Sequence, residues 1–192
     1  MKFSRILIQC LSLLLLCCYG FTTQAQGTEQ LDSLKNISIF KFGADTSGIK
    51  YLQADRSSAL KYKDLKVYHY VGDSLKTYFG VPVADVMVYY HKNRLFRIDL
   101  SFGKIDKEYT VQEFNKIQNR LLSMYGKTVG KLQMTIAQVL NGGRWESKKT
   151  LIDHTRHSFA RKRIKDNGIY GSLTFVEGLT IERMSPKDFE GE

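Results

Sequence analysis

The side chains best suited to chemistry are four histidines, His69, His91, His154 and His157, and three cysteines, Cys10, Cys17 and Cys18. The densest group is Asp153-His154-Thr155-Arg156-His157, whose residue types would serve a hydrolytic or metal site. On a helix, His154 and His157 would share a face. On a strand, a spacing of three sends them to opposite faces. The β-favouring residues around them point to a strand, so a metal would need a third ligand from elsewhere, such as His69 or His91. The plain reading is two surface histidines beside a basic strand. His69 stands between Tyr68 and Tyr70, the setting of a half-buried packing histidine, and His91 falls in an expected hairpin loop. The chain holds no G-x-S-x-G elbow, no H-E-x-x-H pair and no phosphate-cradling glycine loop. No catalytic residue, metal ligand or cofactor is assigned. The catalytic alternative is a small hydrolase using His154, His157 or His69 with Asp153.

The cysteines lead to localisation instead. All three lie in residues 1–25, where Lys2 and Arg5 precede an apolar run from Ile6 to Tyr19 and Thr23-Gln24-Ala25 follows it. This is the pattern of a secretory signal peptide cleaved between Ala25 and Gln26. The run of about 14 residues falls short of the roughly 20 that a bilayer span needs, so the mature form has no transmembrane anchor. It also has no cysteine, hence no disulfide, thiolate metal site or cysteine nucleophile. A lipid-attachment cysteine is disfavoured, because Leu14, Leu15 and Leu16 precede Cys17 where small residues belong. The protein is expected in the periplasm or medium of a Gram-negative bacterium. Asp32-Ser33-Leu34 and Asp73-Ser74-Leu75 resemble the O-glycosylation acceptor triplet of exported proteins in the Bacteroidota, and Asn36-Ile37-Ser38 matches an N-glycosylation sequon.

The formal charge is +10, and it becomes +8 when Lys2 and Arg5 leave with the signal. The excess is local. Residues 141–165 carry Arg144, Lys148, Lys149, Arg156, Arg161, Lys162, Arg163 and Lys165 against Glu146 and Asp153 only. Arg156, Arg161, Lys162, Arg163 and Lys165 are the candidate contacts for an anionic partner, either an envelope protein or an anionic glycan or lipid surface. No nucleic-acid partner is expected outside the cytoplasm. The competing reading is a solvated basic face that keeps the chain soluble.

These residues need a scaffold, and the pattern describes an α+β single domain. Residues 26–37 read as a flexible leader, 38–185 as the domain and 186–192 as an acidic tail. A short helix is expected near Ile49 to Leu52 and a strand over Leu65–Val71, with turns at Gly72-Asp73 and Phe79–Pro82. Val83–Tyr90 and Leu95–Phe102 form a hairpin around a four-residue loop, His91 to Arg94. Phe96, Ile98, Leu100 and Phe102 share its packed face, while Val83, Met87 and Tyr89 make the other face partly apolar. Val111–Tyr125 is a long amphipathic helix with a Thr110–Glu113 capping box and Gly126 at its end. Asn141-Gly142-Gly143 reads as a sharp turn, and Trp145 plugs the core edge. Lys149–Ile164 reads as a strand bulged near His157, Asp166-Asn167-Gly168 as a hairpin turn and Ile169–Val176 as the return. The expected order is α-β-β-β-α-β-β-β: about six antiparallel strands with the helix packed on one face. On this reading the chain is a non-catalytic binding or accessory protein of the envelope. An inhibitor of an exported enzyme is a further alternative.

Overall fold

The computed structural model describes residues 29–55, 64–104, 106–130, 132, 134, 137–159 and 168–177. Its frame is a seven-stranded antiparallel sheet in the order β3-β4-β7-β8-β11-β10-β9. Here β3 is Leu52–Ala54, β4 Leu65–Tyr70, β7 Asp85–His91, β8 Arg94–Phe102, β9 Gln138–Glu146, β10 Thr150–Ser158 and β11 Ile169–Glu177. Two small hairpins join β1 (Asn36–Ile37) to β2 (Phe40–Lys41), and β5 (Thr77–Tyr78) to β6 (Val81–Pro82). Helix α1 is Val111–Tyr125, and residues 29–32 are also helical. The chain is thus a mainly-β single domain of α+β type. Among the described residues, no helix is long and apolar enough to cross a membrane.

The helix begins and ends where its chemistry dictates. Thr110 Oγ1 accepts from the Glu113 N–H at 3.2 Å, and Glu113 Oε2 accepts from the Thr110 N–H at 3.0 Å. Together they satisfy two donors that the first turn leaves unpaired. Gly126 closes the far end at φ 76°, where a side chain would strain the backbone. Phe114, Ile117, Leu121 and Tyr125 form the buried stripe, whereas Val111 and Leu122 at its margins are exposed. The expected long helix is an ordinary one of 15 residues, about 22 Å at 1.5 Å per residue.

α1 carries the chain from β8 to the far edge strand β9. β10 and β11 then fold back, so that β11 closes against β8. The inner face buries Val86, Val88, Ile98, Leu100, Phe102, Ile152, Leu173 and Phe175 against α1 and against Leu31, Ile37, Phe40, Leu75 and Val81. Trp145 belongs to this core, and its indole N–H donates to the Gly126 carbonyl at 2.9 Å, tying β9 to the helix end. Strand β10 shows its register shift between Arg156 and His157.

Several expectations are corrected. The sheet has seven strands because Leu52–Ala54 pairs with β4 as an edge strand. Tyr51, at φ 65°, precedes that strand, and no helix forms there. The described part of the expected leader, residues 29–37, is fixed: Leu31 is 2% exposed, and the Asp32 carboxylate accepts from Ser147 Oγ and from the Lys149 N–H. The β7–β8 loop has two residues, Lys92 and Asn93, both at positive φ, which gives a twist that suits tightly coupled strands. Gly142 and Gly143 lie inside β9. A Cβ on Gly143 would meet Thr128 Cγ2 at 2.7 Å and Gln118 Nε2 at 2.8 Å, so glycine permits a close approach there and makes no turn. A β7–β8 bulge sets Tyr90 opposite Leu95 and Tyr89 opposite Arg97. It turns Phe96 to the outer face beside Tyr89, Val67 and Val176. Val83 packs on the main core. The cleavage point at Ala25 and Gln26, the Asp166-Asn167 turn and the tail 186–192 lie outside the described residues.

Candidate functional site

Strand β10 sends its two histidines to opposite faces. On the inner face His154 is fully buried, and two nearby glycines make room for the groups around it. Gly143 lies opposite it on β9, and Gly171 lies opposite Arg156 on β11. A Cβ on Gly171 would fall 2.0 Å from Tyr109 Cδ1, so that glycine is the seat of the Tyr109 ring. Tyr109 stacks on Phe102 at 5.0 Å, and its hydroxyl lies 2.9 Å from His154 Nε2. Gln118 Oε1 reaches His154 Nδ1 at 2.7 Å, and the Phe114 ring stacks on the imidazole at 4.3 Å. Both ring nitrogens therefore have partners: Nδ1 donates to Gln118 and Nε2 accepts from Tyr109. Burial pushes the His154 pKa down to about 3, so the ring is neutral across the ordinary range. A neutral, saturated, enclosed imidazole is a packing element with polar ends.

Arg156 is part of the same assembly. It is 6% exposed, donating through Nε to the Tyr109 carbonyl at 2.7 Å and through Nη2 to Glu108 at 2.8 Å. Its guanidinium fixes the loop that delivers Tyr109, which removes it from the candidate partner contacts. Arg161, Lys162, Arg163 and Lys165 lie outside the described residues, in the chain between the ends of β10 and β11.

The outer face carries a second set of polar side chains, some partly exposed and some buried. Cross-strand register assembles one row from His69, Met87, Asp99, Thr174, Asp153 and Arg144, and a second from Asp85, Ser101, Ser172, Thr155 and Gly142. Arg97 forks onto Asp99 through Nε at 2.8 Å and Nη2 at 2.7 Å, while Tyr89 donates to Asp99 at 2.9 Å. Arg144 forks onto Asp153 with both distances at 2.7 Å. Burial alone would lower the Arg97 pKa, but the Asp99 bond and charge hold it raised. For Arg144 the Asp153 bond is the leading cause of a rise. Both forks are therefore fixed ion pairs, preorganised and only partly wet. Apolar residues Leu65, Val67, Phe96 and Val176 border the rows, with Met87, Tyr89 and Leu151 against them.

His69 is the outer-face histidine with a carboxylate partner, Nδ1 lying 3.0 Å from Asp85 Oδ1. This pair was missed in the linear reading because the two residues are joined only by the β4–β7 register. Asp85 is also paired with Ser101 on its other side, so the aspartate stands between histidine and serine in strand order. A serine relay needs the histidine in the middle. Asp153, the carboxylate considered alongside the histidines, faces Arg144, away from His154. His157 is buried on the outer face between Phe159 and Tyr170, with no partner for Nδ1 among the described residues, and burial lowers its pKa. His91 ends β7 and is buried. Among the described residues, no three His, Cys, Asp or Glu side chains converge as metal ligands. Comparison with protein-family models, curated proteins and solved structures finds no match to this chain.

Proposed function

We propose that this chain is an exported, non-catalytic binding or accessory protein of a bacterial envelope, engaging an anionic partner through Arg161, Lys162, Arg163 and Lys165. The partner is an envelope protein or an anionic glycan or lipid surface. The observation that carries this reading is the outer sheet face, where partly exposed charges are held in fixed Arg–Asp forks beside a buried apolar row. That face holds its polar groups in a set geometry. It is preorganised, it stays polar at its centre, and each two-bond fork uses only two of the five guanidinium donors. The basic run adds a sequence-local excess of positive charge between two of the strands that form this face.

The test is the salt dependence of binding of the mature protein to envelope fractions from its own cell. Binding that weakens steeply between low and physiological salt is expected, because exposed charges are screened within about 8–10 Å. Binding indifferent to salt would contradict the anionic partner. A hydrolytic reading is favoured by one observation, the His69–Asp85 pair, and it requires that His69→Ala remove a turnover that the wild type shows.

A further inference from the structure

We propose that Ser74 is an O-glycosylation site, and that Ser33, in the chain's other Asp-Ser-Leu triplet, is not. The inference rests on the export reading. The two triplets are identical in sequence, and the structure separates them. Asp32 is engaged: its carboxylate accepts from Ser147 and from the Lys149 backbone. Ser33 Oγ donates to the Gln30 carbonyl at 2.7 Å, and the adjacent Leu31 is anchored in the core. Ser33 is exposed, as Ser74 is, but a transferase that uses the triplet would have to break this bond and both Asp32 contacts.

The second triplet is displayed. It lies in the loop between β4 and β5, where the Asp73 side chain is 84% exposed and pairs with the exposed Lys76 at 2.8 Å. Ser74 is exposed, and its Oγ takes part in none of the hydrogen bonds among the described residues. The loop is nonetheless held in place. The Ser74 N–H donates to Tyr70 Oη at 3.3 Å, the Ser74 carbonyl accepts from Ser38 Oγ at 3.1 Å, and Leu75 is 5% exposed in the core. Leu75 thus works as a pin that leaves Asp73 and Ser74 projecting.

The co-substrate class is a sugar joined through its anomeric carbon to a lipid diphosphate. Ser74 Oγ attacks that carbon and a glycosidic C–O bond forms. The bond to the diphosphate breaks with its electron pair, and the hydroxyl proton passes to a base of the transferase. No redox change occurs.

One digest tests this. The chain is isolated from the envelope of its own cell and cut with trypsin, which releases residues 67–76 carrying Ser74 and a peptide ending at Lys35 that carries Ser33. The expected result is glycan mass on 67–76, abolished by Ser74→Ala and kept in Ser33→Ala, with the other peptide beginning at Gln26 and unmodified. A Gln26 start with 67–76 bare overturns the site and leaves the export reading standing. A chain that retains Met1 with 67–76 bare overturns both. Glycan on Ser33, with or without Ser74, overturns the structural selection.

Discussion

Tyr109, His154 and Arg156 show how single residues of this chain trade apparent chemistry for structure. Each is a type that active sites use, and each is held by hydrogen bonds inside the fold. This has a pH consequence with a definite sign. The folded-state pKa of His154 is depressed from 6.5 to about 3, so below pH 6.5 the unfolded chain binds a proton that the native chain refuses. Stability is therefore intact above pH 6.5 and is lost as pH falls towards 3. The loss amounts to roughly 1.4 kcal/mol per pH unit, or about 2–3 kcal/mol by pH 4.5. His157, lowered by burial, acts in the same direction. Urea unfolding at pH 7.0, 5.5 and 4.5 should show this slope, and His154→Gln should flatten it while lowering stability at neutral pH. A wild-type slope that survives the substitution unchanged would assign the effect elsewhere. None of this role was legible in the sequence. Both glycines that make room for the assembly are 11 or more residues from His154 and meet it, or its neighbour, only through register.

The elements themselves were legible where their determinants are local. Helix α1 was readable from Thr110 and Glu113 at one end and Gly126 at the other, and β8 from strict alternation beyond Phe96. The misreadings came from residues whose reason is tertiary. Gly142-Gly143 looked like a turn because glycine serves turns and close contacts alike, and only the position of Thr128 and Gln118 decides between them. Phe96 was given the wrong face because the bulge beside it is set by pairing with β7. Two predictions belong at this scale. Gly171→Ala places a methyl group inside the Tyr109 ring, so it should cost about 1–3 kcal/mol or more in chemical denaturation; a neutral result would mean the ring is not seated there. Thr110→Ala removes the capping box and should cost about 1 kcal/mol, with a matching fall in melting temperature.

At the scale of the whole molecule, one sheet separates two kinds of surface. Its inner face holds the core and the saturated polar assembly. Its outer face holds two Arg–Asp forks, the His69–Asp85 pair and an apolar border. The composition of the outer face was visible in advance as alternating polar residues, but its assembly was not, because Arg144 meets Asp153 through the β9–β10 register and Asp99 aligns with Thr174 only once β11 inserts between β8 and β10. The proposed function is binding of an anionic partner through the basic run that follows β10. The most direct measurement is affinity co-purification of the tagged mature protein from its native envelope, in parallel with Arg161→Glu, Lys162→Glu, Arg163→Glu combined. At roughly 0.5–1 kcal/mol per charge, the triple reversal should weaken capture about 10- to 100-fold. A stoichiometric partner held by the wild type and lost by the variant is the predicted result. A partner captured equally by both would contradict binding through the basic run.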